Sequence, residues 1–153
     1  MNIISVVVET IDKSYPWGYF DGSATDEPKI CGARGMICFS DDHYFSFKAC
    51  LGVGTNNSAE LCALKILLTL ARENHMAKIQ IFGDSQLVIN WAIGKFRILN
   101  LELSQVLHEV NRLSDMFELV DLKHIYQQKD SHADVLAKAR ATFLEGYWYV
   151  KEF

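Results

Sequence analysis

The spacing of hydrophobic residues changes along the chain. The segment His43-Tyr-Phe-Ser-Phe-Lys-Ala-Cys alternates between apolar and polar positions, which is typical of a half-exposed strand. From residue 56 apolar residues recur at spacings of three and four, which is typical of helices. The whole pattern predicts strands 17–24, 32–40 and 43–51, helix 56–73, strand 77–82, helices 85–94 and 101–116, strand 119–126 and helix 131–144.

This order of elements predicts an α/β fold. Three consecutive strands joined by short turns form an antiparallel meander, whereas later strands separated by helices pair in parallel. We therefore expect a five-stranded mixed sheet flanked by helices. The 153 residues, half of them hydrophobic, predict a single domain over 1–153 with a core of about 17–144 and short terminal extensions.

Four acidic residues lie where a carboxylate can point into a site. Clustered carboxylates repel one another unless cations neutralise them, and hard oxygen ligands suit Mg²⁺ or Mn²⁺. The pattern therefore indicates a metal site. The four residues end or follow predicted strands or lie in predicted helices: Asp21, Glu60, Asp84 and Asp134.

Periodicity makes Glu60 the strongest candidate. The residues Lys65, Thr69 and Arg72 share one stripe of the predicted helix, which we assign to solvent. Glu60 lies on the opposite side, in line with apolar residues at spacings of three, four and seven. A carboxylate there needs a charged partner. Alternatively, Glu60 lies in the first turn and interacts with the helix dipole.

Each aspartate also has a structural explanation. Asp21 precedes Gly22 and fits an ordinary turn. Asp84 fits a helix N-cap. Asp134 lies three residues after Ser131, which is the spacing of a capping box. Considered one at a time, these residues do not establish a site.

Four sequence blocks together carry a resemblance to a known family. They are Tyr19-Phe-Asp-Gly-Ser, Gly54-Thr-Asn-Asn-Ser-Ala-Glu-Leu, Gly83-Asp-Ser-Gln-Leu-Val-Ile and Ala133-Asp-Val-Leu-Ala-Lys. In this order and spacing the chain resembles type 1 ribonuclease H over about residues 17–142. The wording is most similar to reverse-transcriptase-associated ribonuclease H domains of plant retroelements.

The resemblance implies both fold and chemistry. It implies a ribonuclease H-like fold that brings Asp21, Glu60, Asp84 and Asp134 together as catalytic metal ligands. The expected cofactor is two Mg²⁺ ions, which Mn²⁺ can replace, and the expected substrate is an RNA/DNA hybrid. Hydrolysis of the RNA strand would leave 5′-phosphate and 3′-hydroxyl ends.

The same resemblance implies contacts to the hybrid. Five residues match positions that contact the RNA strand in the family, where the 2′-hydroxyl distinguishes RNA from DNA: Ser23, Asn56, Glu60, Gln86 and Asn90. Thr55 and Asn57 match positions that touch the DNA strand or shape the loop. The neighbouring motif residues Gly22 and Ser85 complete the expected nucleic-acid-binding set. Asn56 and Asn57 also fit an ordinary turn and helix cap.

Two departures from the family pattern affect these expectations. The basic, aromatic-rich insertion that many members carry after the third block is absent, since Trp91-Ala-Ile-Gly-Lys-Phe-Arg runs almost directly into the next helix. A mobile histidine near the fourth aspartate often assists product release in the family. His124 is the candidate by its spacing from Asp134. Here, however, the loop resembles the shorter kind, which would place His124 on the strand, and His132 is the exposed alternative.

Charge and cysteine content set the remaining expectations. The net charge is −4, which argues against strong binding of nucleic acid. A modest group of cations flanks the expected site: Lys95, Arg97, Lys123, Lys129, Lys138 and Arg140. Four cysteines without a Cys-x-x-Cys spacing predict reduced thiols in an intracellular protein.

The sequence leaves two functions open. The first is the metal-dependent endoribonuclease, which we expect to be a monomer with no membrane association. The second is a catalytically idle binding or connection module of a reverse-transcriptase polyprotein. A reverse-transcriptase domain or another basic partner domain would then supply the cations that this chain lacks.

Overall fold

A computed structural model describes residues 3–7, 11–25, 30–40, 42–125 and 148–152, with side chains described between residues 11 and 125. Its strands are β1 (Ile3–Val7), β2 (Trp17–Ala24), β3 (Ile30–Ser40), β4 (His43–Val53), β5 (Lys78–Gly83), β6 (Leu119–His124) and β7 (Trp148–Glu152). Its helices are α1 (Asn56–Glu73), α2 (Gln86–Ala92) and α3 (Leu101–Ser114). The predicted helix 131–144 lies outside the described residues.

The strands form one mixed sheet in the order β1-β6-β5-β2-β3-β4-β7. Strands β2, β3 and β4 are the predicted antiparallel meander, and β5 pairs in parallel with both β2 and β6. The predicted five-stranded mixed sheet is therefore confirmed as the centre of the fold. The sequence pattern did not predict β1 and β7, which add a parallel strand to β6 and an antiparallel strand to β4.

The larger part of the core lies between one face of the sheet and helix α1. Ala63, Leu64 and Leu67, which periodicity assigned to the buried side of this helix, are at most 1% exposed. Phe20 of β2 joins the same cluster. Trp17 lies three residues earlier on that strand, so its side chain projects to the opposite face, where it packs with Cys38, Phe82 and Ile125.

That second face also buries a polar group, here called the lysine cluster: Gln80, Asp121 and Lys123. The Lys123 ammonium lies 3.3 Å from Asp121 Oδ2 and donates a hydrogen bond of 3.0 Å to Gln80 Oε1. The Gln80 side chain also bonds to backbone groups of Asp12 and Tyr15. The cluster therefore fixes the segment that leads into β2.

Other expectations were tested by the described residues. The four cysteines are free thiols, three of them buried. His43, His75 and His108 are exposed. None of the helices in the described part of the chain is both long and apolar enough to span a membrane.

Candidate metal centre

Three of the four candidate carboxylates meet at one edge of the sheet. Asp21 lies on β2, Glu60 on α1, and Asp84 directly follows β5. One carboxylate oxygen from each residue lies within 4.8 Å of those from the other two. We call these three residues the acid cluster. Asp134, the fourth candidate, lies outside the described residues, as does His132.

Gly22 brings β2 and α1 close enough for the cluster to form. A Cβ atom at this position would lie 2.2 Å from the carbonyl carbon of Ala59 and 2.3 Å from the nitrogen of Glu60. Only glycine permits this approach of the strand to the helix backbone. The Gly22 N–H also donates a 2.9 Å hydrogen bond to Asp21 Oδ1, which orients that carboxylate.

The N-termini of α1 and α2 argue against two of the structural explanations: the helix-dipole role of Glu60 and the N-cap role of Asp84. Thr55 is the N-cap of α1 and forms a capping box with Ser58, and the first turn contains no acidic residue. Glu60 therefore lies beyond the turn in which the helix dipole acts most strongly. Ser85, rather than Asp84, caps α2 by accepting from the Val88 N–H at 3.3 Å.

Burial and crowding disfavour the charged form of Glu60. Its side chain is 8% exposed, and loss of water raises its pKa well above the ordinary value of 4.5. A hydrogen bond with Asp21 and repulsion from Asp21 and Asp84 raise the pKa further. The Glu60 Oε2 atom is buried and receives no hydrogen bond from any described residue. On the side of Glu60 the cluster therefore lacks a hydrogen-bond donor among the described residues.

The expected nucleic-acid contacts surround the acid cluster unevenly. Thr55, Asn56, Asn57 and Gln86 are exposed, whereas Asn90 is buried and accepts a 3.1 Å hydrogen bond from Gln86. Asn56 Oδ1 accepts a 2.7 Å hydrogen bond from the Ala24 N–H, which joins the start of α1 to the end of β2.

Ser23 and Ser85 are half-buried beside these elements. Ser23 follows Gly22 on β2, and its hydroxyl oxygen is buried with no hydrogen-bond partner among the described residues. Ser85 follows Asp84 directly, and its side chain is engaged in capping α2.

Two of the basic candidates, His124 and Lys123, lie on β6 and make contacts within the protein. His124 ends β6, and its Nε2 lies 3.2 Å from the backbone oxygen of Asp84, so the ring contacts the loop that carries this carboxylate. Lys123 was predicted to flank the site as a cation for phosphates, but it is 6% exposed and paired with Asp121. Lys95 and Arg97 are exposed, while Lys129, Lys138 and Arg140 lie outside the described residues.

Sequence reasoning missed several buried polar residues. Gln80, Asp121 and Lys123 alternate with apolar residues on their strands, a pattern that normally indicates a solvent-facing side. Arg34 is fully buried on β3 within the run Cys31-Gly-Ala-Arg-Gly. A single large charged residue among such small ones was the available signal for an unusual environment.

Comparison with known proteins identifies related sequences. Residues 19–140 match the model of the reverse transcriptase-like family. A curated relative, the uncharacterized protein YpeP of Bacillus subtilis (strain 168), is 30% identical over an alignment of 126 residues, and the match covers 78% of this chain. The match covers 56% of the relative, so the chain spans little more than half of that protein's length.

Solved structures share the fold. RNase H1 from the halophilic archaeon Halobacterium salinarum NRC-1 is 25% identical, with a TM-score of 0.76 over 83% of this chain and 97% of that protein. LC11-RNase H1 in complex with an RNA/DNA hybrid is 20% identical, with a TM-score of 0.69 over 82% of this chain and 96% of that protein. With its matching sequence blocks and this sheet order, the chain belongs to the reverse transcriptase-like family and has a ribonuclease H fold.

Proposed function

We propose that this domain is a metal-dependent endoribonuclease that hydrolyses the RNA strand of RNA/DNA hybrids and leaves 5′-phosphate and 3′-hydroxyl ends. The observation that carries the proposal is the convergence of three carboxylates from separate elements to within 4.8 Å. The family match, the likeness to RNase H1 and the fold shared with a hybrid-bound RNase H1 support it.

The residues of the acid cluster fit a divalent cation. All three supply hard oxygen ligands, and burial together with mutual repulsion makes a cation favourable at this position. Asp21, Glu60 and Asp84 would hold Mg²⁺ or Mn²⁺, and we propose Asp134 as the fourth ligand of a two-ion site. Bound ions would supply Lewis-acid stabilisation of charge that develops during phosphodiester hydrolysis.

The remaining site residues would orient the hybrid against the acid cluster. Asn56 holds the start of α1 to the end of β2, and Gln86 is exposed one turn before Asn90. We propose that Ser23, Asn56, Gln86 and Asn90 contact the RNA strand, and that Gly22 and Ser85 complete the nucleic-acid-binding set. Thr55 and Asn57 would contact the DNA strand or shape the loop beside it, with hydrogen-bonding side chains suited to a minor groove.

The test is cleavage of a hybrid whose RNA strand is end-labelled. Mg²⁺ or Mn²⁺ should support cutting of that strand, excess chelator should abolish it, and RNA duplex and DNA duplex of the same sequence should stay intact. Cleavage that continues at full rate in chelator would exclude the metal-dependent mechanism.

The alternative of a catalytically idle module has less physical support. Three carboxylates packed within 4.8 Å disfavour one another's ionised forms, a cost that a bound divalent ion would remove. A module that only binds or connects would gain nothing from clustering these carboxylates. No cleavage by a folded protein that binds Mn²⁺ would nevertheless favour this alternative.

A further inference from the structure

A buried cation lies beside the acid cluster. Arg34 of β3 has no exposed surface, and it is the direct cross-strand partner of Asp21 on β2. Opposed residues of an antiparallel pair project to the same face, with Cβ atoms about 4.5–5.5 Å apart. The Arg34 side chain therefore begins on the same face of the sheet as the carboxylate of Asp21.

Arg34 must keep its charge inside the protein. The guanidinium group does not lose its proton under ordinary conditions, and a buried charge is tolerated only near charges of opposite sign. Its cross-strand partner Asp21 belongs to a group of three carboxylates. The cross-strand register therefore starts the side chain of a buried cation next to a residue of opposite charge.

Burial also limits what Arg34 can do. Without exposed surface, it cannot touch a phosphate of a bound nucleic acid as the structure stands. An influence on the site would then have to be electrostatic and act through the carboxylates. Lys48 is the next residue in the same row, opposite Arg34 on β4, and is half-buried. It is one strand further from Asp21 and provides a natural comparison.

We propose that Arg34 is a positioning residue that acts as a fixed internal cation for the acid cluster. It stabilises the clustered carboxylates when no metal is bound, and it weakens their affinity for divalent ions. The site would therefore need a higher ion concentration to fill than a site without an internal cation. The inference rests on the proposed function, because it concerns divalent ions at the same carboxylates.

The first experiment measures Mn²⁺ and Mg²⁺ binding by calorimetry without nucleic acid. Arg34→Met removes the charge but keeps much of the bulk, and we expect about tenfold tighter binding, because a nearby positive charge no longer repels the ion. Arg34→Lys keeps the charge and should stay within about twofold of the parent protein. Lys48→Met should have a smaller effect than Arg34→Met, since its charge lies one strand further away.

The second experiment distinguishes an electrostatic role of Arg34 from a packing role. It also applies if Arg34→Met folds poorly, because its readout is the thermal midpoint. We expect Arg34→Met to lower the metal-free thermal midpoint, and Asp21→Asn in the same chain to recover part of the loss. Lys48→Met with Asp21→Asn is the matched pair and should be closer to additive. Additive effects of Arg34 and Asp21, or equal losses with Arg34→Met and Arg34→Lys, would reduce Arg34 to a packing residue.

The outcomes also separate this inference from the proposed function. If the parent protein and Arg34→Met bind the ions with equal affinity, the inference fails and the metal centre stands. If neither protein binds an ion, the proposed function fails and the inference fails with it. Tighter binding by Arg34→Met, with rescue by Arg34→Lys, supports both.

Discussion

The acid cluster and the lysine cluster both place buried charged side chains on the central sheet, but their charges are balanced differently. In the lysine cluster, Lys123 lies 3.3 Å from Asp121 and donates to Gln80, so opposite charges and hydrogen bonds meet within one group. In the acid cluster, three carboxylates lie within 4.8 Å, and burial together with the neighbouring Asp21 and Asp84 raises the pKa of Glu60. In a structural ion pair the opposite charges neutralise each other, whereas a group with an excess of one charge is a candidate functional site.

The largest expected effect comes from removing one charge from each cluster. Asp84→Asn keeps the shape of the side chain but removes a proposed metal ligand, so hybrid cleavage should fall by more than about 100-fold, the upper range for residues that only orient ligands. Its metal-free thermal midpoint should hold or rise, because repulsion is relieved.

Asp121→Asn is the matched control for this experiment. It removes a buried carboxylate of similar size from the lysine cluster, so the folded protein should retain its activity while its stability falls. Loss of folding in Asp84→Asn, or equal loss of activity in both variants, would remove the functional distinction between the clusters.

The second effect concerns stability. Lys123→Met leaves the carboxylate of Asp121 buried without its cation, and breaking one partner of a buried pair costs about 3–5 kcal/mol. Urea unfolding measures this loss, and Lys95→Met, at an exposed position, should change the free energy of unfolding by less than about 0.5 kcal/mol. A loss that small for Lys123→Met would mean that the lysine cluster is not a structural ion pair.

These two clusters also show what the sequence could and could not predict. The meander, α1 and the buried position of Glu60 followed from periodicity, because each depends on residues close in sequence. The convergence of Asp21, Glu60 and Asp84 depends on the approach of α1 to Gly22, and local periodicity cannot reveal this long-range contact. The four linked sequence blocks indicated it only through resemblance to a family.

Residues whose local sequence pattern fits more than one environment were the hardest to assign. Lys123 and Asp121 occupy alternating positions that look solvent-facing, yet the segment around Asp12 and Tyr15 packs near them. Likewise, β7 pairs with β4 although its residues Trp148–Glu152 follow a predicted helix and carry no strong turn signal. Both cases depend on contacts between residues far apart in sequence, whereas periodicity reports only local spacing.

A third prediction uses pH to sharpen the comparison. Because the folded-state pKa of Glu60 is raised, the metal-free native protein holds a proton that the unfolded chain releases above about its ordinary pKa of 4.5. Its free energy of unfolding should therefore fall as pH rises from 5 towards 8, by at most about 1.4 kcal/mol per pH unit. Urea unfolding in excess chelator measures this slope.

The controls for the pH experiment are Glu60→Gln and added Mg²⁺. Glu60→Gln should flatten the slope, since the variant cannot ionise there. Mg²⁺ should offset the loss in the parent protein, because the ion binds the charged form. An unchanged slope in Glu60→Gln would assign the pH dependence to other groups.

The smallest expected effect concerns the exposed cations, which differ from buried Lys123 in being available to phosphates. With a net charge of −4 and Lys95 and Arg97 exposed near α2, the domain should bind hybrids weakly and with a shallow salt dependence. Binding is best measured with Asp84→Asn in Ca²⁺ across a salt series, so that cleavage does not interfere.

Adding Lys95→Met and Arg97→Met should weaken affinity a few-fold and reduce the slope by about 1–2, since each phosphate contact contributes about 0.7–0.9. Lys65→Met, which removes a charge from the far side of α1, should leave the slope unchanged. Tight binding that persists at high salt in the double variant would show that the domain holds its substrate through contacts other than these cations, and the expected need for a basic partner domain would then disappear.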